Sequence, residues 1–412
     1  MYKKIKHYFM LIIVVFIFVG CKKLDATNSS QITNILSSPT EKIVSTIPEI
    51  TKAPEVTTAP PVTATPTILT PELIPTNNEL NAEEILENMT LEEKVGQLFF
   101  VRSRDDLAIS DIETYHLGGY VLFAKDFEGK SYEEVKNTLE TYQEISKIPM
   151  LIGVDEEGGT VNRLSKYLQF RSAPFQSPQA LFQQGGLDLI LSDTTEKTLL
   201  SKNLGINVNL APVCDVSTNP KDFIYSRSFG QNAKETAKYV KTVVTEMNRL
   251  NMGSTLKHFP GYGNNVDTHT GIAIDERTYE TFVENDFIPF QAGIESGAGS
   301  ILVSHNIVKC MDEKLPASLS PSVHKILRDE LDFGGVIMTD DLYMDAIKQY
   351  SDEEEAAILA IEAGNDLLIA TDFDVQIPAV LNAINNNQIT EERINESVMR
   401  VLRWKLNLGI IS

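Results

Sequence analysis

After about residue 80, short apolar runs alternate with stretches in which apolar residues recur every three or four positions. The runs are Leu98–Val101, Tyr120–Ala124, Met150–Val154, Ile206–Leu210, Gly253–Leu256, Ser300–Val303, Gly335–Met338 and Asp366–Ala370. Short runs predict strands, and the three-to-four spacing between them predicts helices. Helical patterns cover Ser131–Ser146, Ala233–Asn251, Tyr279–Ser296, Pro321–Leu331 and Glu353–Ala363, and a further segment opens at Asn81–Asn88. Thr90 and Glu93 have capping-box spacing, and Gly364 stands where a helix C-terminal cap is wanted. Eight strands alternating with helices predict an α/β fold, a parallel (β/α)8 barrel of TIM type. Continuously apolar runs suit strands buried on both faces. An open doubly wound sheet is the alternative. Gly261-Tyr262-Gly263 lacks the third glycine of a dinucleotide fingerprint, however, and no Gly-Lys-Ser/Thr loop occurs.

Before residue 80 the pattern is different. Eight of the 18 prolines fall between Pro39 and Pro75, and no Phe, Tyr or Trp occurs from Lys22 to Leu98. Such a stretch supplies little core. At the start, Lys3, Lys4 and Lys6 precede an apolar run from Phe9 to Gly20, shorter than the roughly 20 residues a spanning helix needs. A basic start, a short apolar core and a small residue at its end predict an export signal. The segment Phe18-Val19-Gly20-Cys21 resembles a bacterial lipobox, which implies acylation of Cys21 after cleavage. Phe18 departs from the usual Leu. Three segments are expected: a lipoprotein signal peptide over 1–20, a disordered Thr/Pro-rich tether over 21–79, and one catalytic barrel over 80–412. Fully extended, Pro39–Thr76 would reach at most ~120 Å. The expected location is the outer side of a cell membrane, held there by the lipid anchor alone.

The net charge of −21 repels a phosphate backbone, and no Lys/Arg cluster lies beyond the first 23 residues, so nucleic acid is not an expected partner. Three cysteines rule out a disulfide framework. Cys214 and Cys310 are expected to be inert core thiols. In a barrel the reactive groups follow the strand ends. There the chain carries Asp155-Glu156-Glu157 and Arg163, then Asp215 and Arg227, Lys257-His258, Asp267 and His269, Ser304-His305-Asn306, and Asp340-Asp341. Carboxylates and arginines can grip vicinal hydroxyls. A carboxylate can also attack an anomeric carbon while a second group protonates the leaving oxygen.

The long motif Lys257-His258-Phe259-Pro260-Gly261-Tyr262-Gly263…Asp267-Thr268-His269 resembles the hallmark of glycoside hydrolase family 3, in its β-N-acetylglucosaminidase branch. Leu91–Gln97, Asp155–Arg163, Asn209–Asp215, Arg227–Gly230 and Val336–Met344 resemble the family in the same order, so the likeness covers residues 80–412. It implies a retaining exo-acting hydrolase that removes terminal β-linked GlcNAc from cell-wall or chitin-type oligosaccharides, as a monomer and with no metal or organic cofactor. Asp340 matches the nucleophile, and His269 the general acid/base with Asp267 as its partner. Asp155, Arg163, Arg227, Lys257 and His258 match sugar-binding positions. Tyr262 stands where many members have His, and the 263–267 loop is shorter than in many relatives. Other members take their acid/base from a second domain; here none is expected.

Plainer readings stand beside these. Asp340 could cap the next helix, and Asp155 and Arg163 could form a structural ion pair. His258, Asp267 and His269 could hold a metal. His305 is left unassigned. On the same fold, a histidine acid/base would admit phosphate, making a phosphorylase the alternative. A non-catalytic sugar-binding lipoprotein is a further one.

Overall fold

The computed structural model describes residues 77–267 and 271–412. The signal segment, Cys21, nearly all of the expected tether and His269 therefore lie outside the described residues.

All eight apolar runs form strands. They are β1 (Phe99–Arg102), β2 (Gly119–Leu122), β3 (Leu151–Val154), β4 (Val208–Asn209), β5 (Gly253–Phe259), β7 (Ser300–Val303), β9 (Val336–Thr339) and β10 (Leu368–Ala370). Two further short strands, β6 (Ile274–Asp275) and β8 (Ile307–Val308), pair only with each other. Their apolar pattern is too brief to have been read in advance. The main strands run parallel in the order β10-β1-β2-β3-β4-β5-β7-β9. A parallel bridge between Met338 and Leu367 joins the two ends and closes the barrel.

Side chains alternate across each strand, and here both sides are apolar. Phe100, Val121, Leu151, Leu302, Met338 and Ile369 fill the interior cluster. Their neighbours Phe99, Val101, Tyr120, Ile152 and Leu368 pack outward in a second cluster with the surrounding helices. Ile301, Val303 and Ile337 do the same in a third. The interior is filled rather than hollow, as in barrels of this size. Gly153 makes room for Phe100, since a Cβ there would stand 2.4 Å from the ring.

The helices begin and end as their caps dictate. Thr90 and Glu93 exchange both capping-box hydrogen bonds, at 2.9 and 3.3 Å. Ser131 starts the helix Tyr132–Ile145 in the same way. The helix Glu353–Ala363 ends at Gly364, whose φ of 116° is open to glycine but strained for other residues. Two stretches expected as single helices contain wider turns, at Phe282–Asp286 and Ile326–Glu330. The long helix Pro178–Asn203 is interrupted at Gly186. Of the thiols expected in the core, Cys214 is buried but Cys310 is exposed, because it lies just beyond β8 on a surface turn.

Candidate active site

A cavity of about 240 Å³ lies at the C-terminal end of the barrel strands. Larger hollows of about 410 and 620 Å³ occur elsewhere. Only the smaller one gathers Asp155, Arg163, Arg227, Lys257, His258 and Asp340, six residues expected at the site. These come from the ends of β3, β5 and β9 and from two connecting loops, segments that are distant in sequence.

The centre of the arrangement is Glu157, which is buried. Arg227 grips it with two parallel hydrogen bonds, Nε at 3.0 Å and Nη2 at 2.8 Å. Lys257 Nζ lies 2.7 Å from Glu157 Oε1 and 2.6 Å from Asp155 Oδ1. Burial opposes the charge on Glu157, but Arg227 and Lys257 outweigh it and hold the carboxyl well below its usual range. Burial likewise works against the Lys257 ammonium, and Asp155 and Glu157 together keep it above the ordinary lysine value. Asp155 thus pairs with Lys257 and not with Arg163. Its Oδ2 faces no hydrogen-bond donor of the described residues and can accept from a sugar hydroxyl. Arg163 Nε is buried without an acceptor among the described residues, so the guanidinium is poised for a ligand.

Lys257 and His258 both reach the cavity because the register between β5 and β7 shifts between Leu256 and Phe259. His258 Nε2 lies 3.1 Å from Arg227 Nη2, and Nδ1 lies 2.7 Å from Asp215 Oδ2. Arginine only donates. Nε2 is therefore the acceptor, and Nδ1–H donates to Asp215. Asp215 also accepts from the backbone N–H groups of His258 at 3.1 Å and Tyr262 at 2.7 Å. It anchors the start of the loop that leads to Asp267. The Tyr262 ring is buried and meets the imidazole edge-on at 5.2 Å.

Asp340 follows β9, and its N–H donates to Val303 O at 3.0 Å. It does not cap the next helix, which begins after Met344. Asp267 is half-buried on the loop after β5 and is not among the residues lining the cavity. His269 lies outside the described residues. His305 is buried, with Nε2 donating to the Asp341 carbonyl at 3.0 Å and Nδ1 2.7 Å from Ser318 Oγ. That contact ties β7 to the segment bearing Asp340.

Several contributors had no role assigned from the sequence, although Glu156 and Glu157 stood among the strand-end groups. Glu157 stands two residues after Asp155, and that strand-end position was its available signal. Glu156 shapes the same loop: its carboxylate accepts from the N–H groups of Arg163 and Leu164 at 2.8 Å, and from Ser165. Arg102, the last residue of β1, and Phe123 also line the cavity. Arg102 directly follows the apolar run Leu98–Val101, so its strand-end position was an available signal, whereas Phe123 reads only as part of the run Tyr120–Ala124.

The family model described as the glycosyl hydrolase family 3 N terminal domain matches residues 90–404. A protein named Beta-hexosaminidase A from Pseudoalteromonas piscicida is 28% identical over 326 residues, covering 72% of this chain and 54% of that protein. A Beta-hexosaminidase from Nitrosomonas eutropha is 30% identical over 264 residues, covering 63% of this chain and 75% of the relative. Among solved structures, a glycoside hydrolase family 3 beta-N-acetylglucosaminidase from a Paenibacillus species superposes with a TM-score of 0.73 at 30% identity. That match covers 78% of this chain and 63% of the other. The chain thus spans little more than half of the Pseudoalteromonas protein.

Proposed function

The chain belongs to glycosyl hydrolase family 3, and from that premise we propose that it is a retaining exo-β-N-acetylglucosaminidase. The observation that carries the reading is the cavity in which Asp340 shares one small space with Asp155, Arg163 and the Glu157–Lys257–Arg227 network. Its small volume suits one terminal sugar rather than a continuous chain. Asp155 and Arg163 offer an acceptor and donors to ring hydroxyls, and Lys257 and Arg227 fix their surroundings by charge.

An oxygen of Asp340 attacks the anomeric carbon as the bond to the leaving oxygen breaks. His269, by its match to the family motif, gives that oxygen a proton. It then takes one from the water that attacks the same carbon and frees Asp340. Asp267 orients the imidazole. Terminal β-linked GlcNAc on cell-wall or chitin-type oligosaccharides is the substrate class, in keeping with the names of the relatives.

The test is kinetic. Asp340→Ala should reduce GlcNAc release by at least about 10³-fold, on the scale of losing an essential nucleophile. His269→Ala should slow substrates with poor leaving groups far more than activated aryl ones. Release that survives Asp340→Ala refutes the mechanism. Formation of GlcNAc-1-phosphate in phosphate buffer would make the activity phosphorolysis, and binding without turnover would make the protein a sugar-binding module. Export and acylation at Cys21 belong to the same proposal, supported by the basic start, the short apolar run and the Gly20-Cys21 pair.

A further inference from the structure

Beside Asp340 lies a second carboxylate with an unusual set of partners. Asp341 is buried, and its backbone N–H donates to Asp340 Oδ1 at 2.9 Å. Its Oδ2 accepts two hydrogen bonds from Arg102, Nε at 3.0 Å and Nη2 at 2.5 Å. Its Oδ1 accepts from Tyr343 N–H at 3.0 Å, and Thr371 Oγ1 approaches at 3.4 Å. Arg102 comes from the end of β1, across β10 from β9 in the closed barrel. The Phe123 ring backs its guanidinium at 4.0 Å. The arginine is thus held by an aromatic face and a single carboxylate oxygen, inside the cavity that holds Asp340.

We propose that Arg102 is a positioning residue for the nucleophile, acting through Asp341: it cancels the charge of the neighbouring carboxylate so that Asp340 stays ionised and in place. This rests on the reading of Asp340 as the nucleophile. Two adjacent carboxylates lining one cavity disfavour each other's charged form. A nucleophile that picks up a proton is inactive. The other described groups near Asp341 do not replace Arg102 at its carboxylate. Lys257 and Arg227 are committed to Asp155 and Glu157. Arg163 lies 5.9 Å from the Phe123 ring and makes no ion pair with the Asp341 carboxylate. His258 is held by Asp215 and Arg227. His305 serves the Asp341 carbonyl rather than its carboxylate. Lys348 lies over the Tyr343 ring on the following helix. Asp372, beyond Thr371, adds further negative charge.

The test is the pH dependence of kcat/KM on an aryl β-N-acetylglucosaminide, whose acid limb reports the free enzyme's essential base. Arg102→Met should move that limb up by about 1 pH unit. The loss would be about 10-fold at the foot of the limb and small on its plateau. Adding Asp341→Asn removes the like charge and should return the limb to its original place. Arg102→Lys keeps a charge and should leave the limb within a few tenths of a unit, which covers the case in which Arg102→Met folds poorly. A limb that does not move in Arg102→Met, or that the double variant fails to restore, overturns the inference and leaves the pair a structural strut. Asp340→Ala is assayed in parallel. If it retains turnover, the underlying reading fails; if it is dead and the limb is unmoved, only the inference fails.

Discussion

Glu157 shows what a single buried carboxylate does here. It joins Lys257 on β5 to Arg227 on the loop after β4, and so sets the shape of the cavity wall. Removing one member of a buried ion network leaves the others uncompensated, so Glu157→Gln should cost about 3 kcal/mol of stability. The cost is read by denaturant unfolding at pH 7. The pH dependence has a definite sign. The carboxyl is held below its usual value of 4.5 in the fold, so its contribution is present above that pH and is lost as the pH falls through and below it. The gap between native protein and variant should therefore shrink from pH 7 towards pH 3; a constant gap would mean Glu157 acts only through packing. Asp155, Lys257 and Arg227 were legible as rim residues because each stands just past a strand end or in the family motif. Their pairing was not. Which carboxylate meets which cation depends on how three separate loops converge, and local spacing carries no such information.

Among the elements, the join between the last helix and the first turn of the barrel carries the sharpest expectation. Lys405, on the helix Glu391–Asn407, is fully buried and donates to Gln97 Oε1 at 2.6 Å, just before β1. Burial with this neutral partner lowers its ammonium from the ordinary 10.5 to about 7. A lysine depressed in this way adds stability above its unfolded value and loses it as the pH falls towards 7. Native protein should therefore gain thermal stability relative to Lys405→Met between pH 7 and pH 10. Parallel melting curves for the two proteins would show the buried ammonium to be harmless. The strands were readable because runs buried on both faces are continuously apolar, and the capping boxes because they are local. The wider turns at Phe282–Asp286 and Ile326–Glu330 were not, since they answer to packing against neighbouring helices.

At the scale of the whole chain, the proposed function assigns the barrel and the segment before it different tasks. The proposal of an acylated Cys21 predicts that Cys21→Ser shifts the protein from the membrane to the soluble fraction. It also predicts that deleting Pro39–Thr76 leaves kcat/KM on a small soluble glycoside unchanged while lowering release from intact cell walls. An equal rate on both substrates after the deletion would remove reach as the role of that segment. Composition and periodicity alone pointed to an eight-stranded parallel barrel and set apart the stretch Lys22–Leu98, which has no Phe, Tyr or Trp, because both signals are local and repeat. They also placed Asp155, Lys257, His258 and Asp340 on one rim, since parallel strands present all their C-terminal ends together. Only the tertiary structure decided that Glu157 is the hub of the cation network, that both His258 nitrogens are engaged, and that Arg102 from the first strand neutralises Asp341 near the last. These pairings join residues up to 239 positions apart, and barrel closure is what makes them neighbours.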